Sequence, residues 1–416
     1  HIFQQLFSIK ISNRLTMAVC PTTDHACYKA AKESFVTGHN GTTMLELATQ
    51  GLIFPASLLL LHCIRSQQVQ SSTTTTTATI SKKTSLRSFL LEFVIIVVPT
   101  VLAMTILADH AHALLLSLLC LSAAWTRIFP VVTTNQHHSS TSDESFHLTA
   151  KSNQRDQSDK KNSSSRSSAL TNFRAGVMLM TCCAILAVDF PLFPRRFVKT
   201  ETYGTSLMDI GVGAFIISGG LVSKLTKNNN NNNLPIKDAA HFKAELSRIF
   251  PVLLLGVGRI LIVSGVDYQE HVSEYGVHWN FFFTLGCLSI LTLLFEQAVW
   301  RPIFLKRNGW YITQDNQPLV LFVLGLLCLF LHQWNLSLNG IGNWINDEKI
   351  ERTNVWNANK EGLCSLCGFF GLHLMATGWG KWKRSLSVTG VTGVTRTTAT
   401  TVKERGRLLQ YGFLLC

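Results

Sequence analysis

Nine apolar runs dominate this chain, each close to the roughly 20 residues that a helix needs to cross a bilayer. They lie at about 43–63, 88–107, 111–131, 173–190, 206–223, 248–267, 277–299, 318–336 and 362–378, the last being short and glycine-rich. A backbone in hydrocarbon must satisfy its polar groups within its own segment, so runs of this kind predict helices. The expected fold is all-α: a polytopic transmembrane helical bundle of about nine spans. Composition agrees, because only 15% of the 416 residues are charged, against about a quarter in soluble domains. That argues against an ordinary soluble enzyme.

The formal charge of +13 suits either a nucleic-acid surface or the cytoplasmic loops of a membrane protein. Sorting the basic residues by loop decides between them. Twenty-four fall on one side of the nine spans and ten on the other, with Arg127, Arg174 and Arg259 inside or at the edge of spans. By the positive-inside rule, residues 1–42 form a lumenal or extracellular segment and 379–416 a cytoplasmic tail, flanking a membrane domain over 43–378. No nucleic-acid partner is implied. The basic side also carries three stretches that cannot build a core, at 66–85, 132–170 and 224–247, with runs such as Thr73 to Thr77 and Asn228 to Asn233. These are expected to be disordered cytoplasmic loops.

The chain opens on His1, and Met17 is a natural start. Residues 1–16 lack the long apolar stretch and cleavage site of a signal peptide. Eleven scattered cysteines suit neither a disulfide framework nor a zinc site, and the one C-x-x-C, Cys364 and Cys367, opens an apolar span without a second pair. No metal is expected.

Charged and amide-bearing residues in or against spans are functional candidates by default. The densest group follows the fourth span: Asp189, then Pro191 and Pro194, then Arg195, Arg196 and Lys199, with Glu201 and Tyr203 before the fifth span and Asp209 within it. Two prolines three residues apart cannot continue a helix, so Asp189 marks a helix end at the membrane boundary. Three basic residues on the side otherwise poor in positive charge suggest an anion ligand such as phosphate. Membrane-edge anchoring is the plainer alternative. Two further stretches on that side bear polar groups. One runs from Asp267 to Asn280 with His271 and His278, each either a general base or an ordinary satisfied histidine. The other, 33–42, holds Asn40-Gly41-Thr42, a glycosylation pattern that either carries a glycan or lines a site.

On these residues the chain resembles a known family. FPLFPRRFVKTETYGTSLMDIGVGAFIISGGLVS following Asp189 is similar to the signature of the glycosylphosphatidylinositol (GPI) inositol acyltransferases, phosphatidylinositol-glycan class W in animals and GPI-anchored wall transfer protein in fungi. KESFVTGHNGTTMLEL from Lys32, RIFPVLLLGVGRILIVSGVDYQEHVSEYGVHWNFFFTL from Arg248 and ANKEGLCSLCGFFG from Ala358 resemble it too, in the same order. The resemblance implies a multi-pass endoplasmic reticulum protein that moves a fatty acyl group, usually palmitoyl, from acyl-CoA to the inositol of glucosaminyl-phosphatidylinositol. Acyl-CoA would be a co-substrate, with no tightly bound cofactor. The family's aspartate and lysine flanking the FP-x-FP-RR segment match Asp189 and Lys199, the implied catalytic pair. Arg195, Arg196, Glu201, Tyr203, Asp209, Asn40, His278 and Asn280 complete the candidate set as substrate-binding residues. No G-x-S-x-G elbow occurs, so direct transfer is favoured over an acyl-enzyme.

The resemblance fades after about Trp379, where the family has further helices and this chain has a Thr-rich tail, as a C-terminally shortened bundle would. Two rivals remain from the residues alone. A secondary transporter would use Asp189, Asp209 and Arg259 as a proton or substrate path. A non-catalytic assembly subunit would depend on no single polar residue.

Overall fold

The structure is a computed structural model, and it describes residues 39–72, 83–129, 169–200, 203–223, 239–264, 272–300, 316–347 and 349–392, with Cys27, Phe35 and Leu225. The described residues are helical or irregular and include no strand. Among the described residues nine apolar helices follow in chain order: α1 (Met44–Ser66), α2 (Leu86–Met104), α3 (Ala108–Ile128), α4 (Ala169–Ala187), α5 (Ile210–Val222), α6 (Phe242–Ser264), α7 (Phe281–Trp300), α8 (Gln317–Leu338) and α9 (Lys360–Arg384). Each answers to one expected span. Eight are long and apolar enough to cross a membrane, and the chain is a polytopic helical bundle.

The fifth departs from expectation. Residues 203–209 are turn and extended chain, which leaves α5 only 13 residues, about 20 Å of helix against a hydrocarbon core of about 30 Å. Elsewhere helix exceeds expectation. Backbone helix continues from α1 to Ser72, begins at Ala239 before α6, and runs past α9 to Thr392. Parts of the stretches read as disordered are therefore helical, and the supposed tail begins as a continuation of α9, since no proline interrupts Lys360–Thr392. The remainder of the three loops lies outside the described residues.

The described residues form two compact units, one from those up to Lys199 and Gly204–Met208, the other from Thr200, Tyr203 and those from Asp209 to Thr392. In the first, Ile53, Ala56 and Leu60 of α1 bury against Ala103 of α2 and Ala111 and Leu118 of α3. Polar groups inside this packing are matched in part, Gln50 Oε1 and Ser57 Oγ being buried without a partner among the described residues. Gln50 donates to the Ala103 carbonyl at 3.0 Å, near the end of α2 where helical partners run out. Glu92, a carboxylate within a span, pairs with Arg65 of α1, which also donates to Ser88 at 2.8 Å. A π-helical stretch at Phe93–Val97 precedes Pro99, so the residue without an N–H falls in the first turn of Val98–Met104.

In the second unit α9 is the central helix, touching α5, α7 and α8. Leu321 and Leu374 are buried between α8 and α9 with Trp300 of α7. Glycine sets the closest approaches. A Cβ on Gly325 of α8 would lie 2.6 Å from the Gly371 carbonyl of α9. On α5 two adjacent glycines differ completely: a Cβ on Gly220 would meet Ala376 Cβ and the His373 carbonyl at 2.7 Å, while one on Gly219 meets nothing within 4 Å. Close helix contact through small residues is the main source of affinity between helices in lipid. Gly220→Leu is accordingly expected to lower the thermal stability of the detergent-solubilised protein, by about 1–3 kcal/mol of overpacking, with Gly219→Ala unchanged.

Candidate functional site

The first unit builds a site from the segment in which α4 stops. Its last helical residue is Ala187, and Val188 and Asp189 form a turn. Pro191 and Pro194 prevent resumption of the helix, so the chain folds through tight turns, with Phe190 N donating to Ala187 O at 3.0 Å and Phe193 N to Phe190 O at 3.1 Å. Arg195–Phe197 then makes one 3₁₀ turn. Phe193 and Phe197, both wholly buried and packed edge to face at 6.0 Å, anchor this loop among Leu47, Met104, Ala108 and Ala184.

The carbonyls freed by this break need donors, and Arg195 supplies them. Its guanidinium donates to Val188 O (2.9 Å), Phe190 O (3.0 Å) and Phe193 O (2.9 and 3.1 Å). It also lies over the Phe35 ring, 4.0 Å from the centroid. These carbonyls bracket Asp189 on both sides. The Asp189 side chain itself is exposed and has no hydrogen-bond or ion-pair partner among the described residues.

Arg196 is held outward. It donates to Glu46 Oε1 from Nε (2.9 Å) and Nη2 (2.8 Å), and to Asp109 Oδ1 at 2.7 Å. Burial by itself would lower the Arg196 pKa, but the bonds to Glu46 and Asp109 outweigh it and raise the pKa further. Both arginines expected on a phosphate are thus engaged by protein groups. Lys199, two residues beyond the 3₁₀ turn, is half-buried. Asn40 is exposed, and its turn joins the same loop where Thr42 N donates to Thr205 O at 2.7 Å. Phe35, Pro191, Phe193, Pro194, Arg195 and Arg196 line an open pocket of about 340 Å³. Asp189, Lys199, Arg195, Arg196 and Asn40 therefore share one unit.

Tyr203, Asp209, His278 and Asn280 belong to the other. Tyr203 is exposed and accepts from Asn346 Nδ2 at 3.2 Å. Asp209 accepts from Thr200 at 3.0 Å. His278 is exposed, and its backbone N donates to Asn359 Oδ1 at 2.9 Å. Asn280, only 1% exposed, caps α7 by accepting from Phe282 N and Phe283 N, and donates to Gly256 O at 3.0 Å. Nearby, burial pushes the Tyr275 phenol far above its ordinary pKa and the Glu274 carboxylate adds to this, with Arg259 opposing. Glu201 and His271 lie outside the described residues.

Glu46, Asp109, Asn359 and Lys360 went unnoticed among the candidates. Lys360 is wholly buried and donates to Trp344 O (2.9 Å) and Asp347 O (2.8 Å). Glu46 and Lys360 sit inside the conspicuous stretches 32–47 and 358–371, and Asp109 is the only carboxylate in α3. Those signals existed, but partners 87 and 150 residues from Arg196 leave no mark in local sequence. For Asn280 the bonds specify a test: Asn280→Ala should lower stability by about 1–2 kcal/mol through loss of the cap. Asn280→Asp, which retains the acceptor, should lose less in the same denaturation assay.

The family model GWT1 matches residues 28–411, so similarity continues beyond Trp379. Glucosaminyl-phosphatidylinositol-acyltransferase PIGW of Bos taurus is 33% identical over 365 residues, 83% of this chain and 62% of that protein. The Homo sapiens protein of the same name is 34% identical over 360 residues with the same coverage. GPI-anchored wall transfer protein 1 of Aspergillus fumigatus is 38% identical over 280 residues, 65% of this chain and 52% of that protein. This chain therefore spans about three-fifths of the length of its animal relatives. With its polytopic helices and Asp189-to-Asp209 segment inside the matched region, the chain belongs to the GWT1 family.

Proposed function

We propose that this protein transfers a fatty acyl group from acyl-CoA to an inositol hydroxyl of glucosaminyl-phosphatidylinositol, an acylation step of GPI-anchor synthesis. The carrying observation is the stapled loop that presents an exposed Asp189 carboxylate without a protein partner among the described residues, in a chain whose animal relatives are named for this acyl transfer. An inositol hydroxyl is a weak nucleophile. Asp189 removes its proton as the oxygen attacks the thioester carbonyl carbon. Lys199 stabilises the oxyanion that forms. Collapse of the tetrahedral adduct breaks the carbon–sulfur bond, leaving an inositol ester and CoA, whose sulfur takes up a proton.

The reaction is placed at the lumenal face of the endoplasmic reticulum membrane, with the N-terminal segment lumenal and residues after α9 cytoplasmic. The distribution of basic residues supports this orientation. So does Cys27, which is disulfide-bonded, as befits an oxidising compartment. In membranes supplied with palmitoyl-CoA and glucosaminyl-phosphatidylinositol, Asp189→Asn and Lys199→Ala should each reduce kcat by about two orders of magnitude or more, at normal expression. His278→Ala should retain activity. Full activity in both loop variants would refute the assignment, and loss in His278→Ala alone would move the base to histidine.

A further inference from the structure

Arg196 is the member of the Arg195–Arg196 pair that is bound by carboxylates, both distant in sequence. Glu46 occupies the first turn of α1, and Asp109 the 3₁₀ turn that opens α3. One guanidinium thus binds two carboxylates. An incoming phosphate would have to displace two charge-assisted hydrogen bonds to Glu46 and a third to Asp109. The side chains of Arg196 and Glu46 are 31% and 17% exposed, so the pair is screened less than an open surface pair, which contributes little. Arg196 is also fixed within its own turn. Arg195 before it holds the carbonyls around Asp189, and Phe197 after it is wholly buried and stacked 5.0 Å beneath the Arg196 guanidinium.

We infer that Arg196, Glu46 and Asp109 form a positioning clamp, which fixes the Asp189 loop against α1 and the first turn of α3 and binds no substrate phosphate. Glu46 and Asp109 thereby become functional residues for the acyl transfer without touching either substrate. The inference rests on the reaction proposed above, so its test includes one readout that does not require that reaction. The full chain in membranes is compared with Glu46→Gln, Asp109→Asn and Arg196→Lys. Asp109 lies in an exposed turn, so Asp109→Asn tests the clamp even if another variant fails to accumulate.

A clamp predicts that kcat falls about tenfold to a hundredfold, the usual cost of slight misplacement, while KM for palmitoyl-CoA and for the lipid acceptor stays unchanged. Arg196→Lys should behave like the carboxylate variants, because an ammonium cannot reproduce the two-bond contact to Glu46 while reaching Asp109. A phosphate-binding Arg196 predicts a different pattern: Glu46→Gln and Asp109→Asn would free the guanidinium and lower KM, and Arg196→Lys would raise it. That pattern, or unchanged kcat in all three variants, overturns the clamp. In permeabilised membranes, tryptic cleavage after Lys199 should be faster in each variant than in the wild type. If the wild type transfers no acyl group at all, the proposed reaction falls and the cleavage rates alone decide, faster cleavage supporting the clamp and unchanged cleavage overturning it.

Discussion

A helix that stops at the membrane boundary exposes carbonyl oxygens that hydrocarbon cannot satisfy, and the arrangement of the first unit follows from how this is solved. Pro191 and Pro194 make the break unavoidable after α4. Arg195 then donates to the carbonyls of Val188, Phe190 and Phe193, converting an interrupted helix into a rigid turn. With the loop closed on itself, Phe193 and Phe197 can be driven fully into the core, and Asp189 is left facing outward. Burial of the two rings and satisfaction of the carbonyls are mutually dependent, because neither ring reaches its site unless the turn is formed.

The same economy governs other cations in this bundle. Wholly buried Lys360 ends on two backbone carbonyls, of Trp344 and Asp347, and lies 6.0 Å from the Trp344 ring. Lys381 donates to Gln317 and lies 5.8 Å from the Trp300 ring. Carbonyl, amide and ring faces can neutralise part of a cation's desolvation cost without introducing a second buried charge. Basic residues on the side poor in positive charge therefore do not all signal an anionic ligand. At Arg195 and Lys360 they close off backbone that the helices leave open.

Helices were largely legible because apolar length alone dictates them, and all nine expected spans have counterparts. The limits came where length and polarity conflict. The 206–223 run is apolar enough to suggest a span, yet its polar, glycine-containing start at 203–209 is drawn into hydrogen bonds such as Thr205 to Thr42 and Met208 to Phe197, which shortens α5. Beyond 378 the Thr-rich composition reads as tail, but a helix already nucleated in α9 extends at little cost through a segment without proline. Asn280 looked like a ligand-binding amide, and its structural use as the cap of α7 with a second bond to Gly256 depends on α6 packing beside α7.

The sequence by itself determined the helical class, the order of the spans, the helix end at Asp189 and the family, because hydrophobic length, proline and contiguous motifs are local properties. Only the tertiary structure decided what the charges do. Arg195 and Arg196 are neighbours of the same chemical type, yet one binds backbone carbonyls and the Phe35 ring while the other binds the carboxylates of Glu46 and Asp109, 150 and 87 residues away. A guanidinium takes its role from the acceptors within about 3 Å of it, and those acceptors are assembled only when the helices pack.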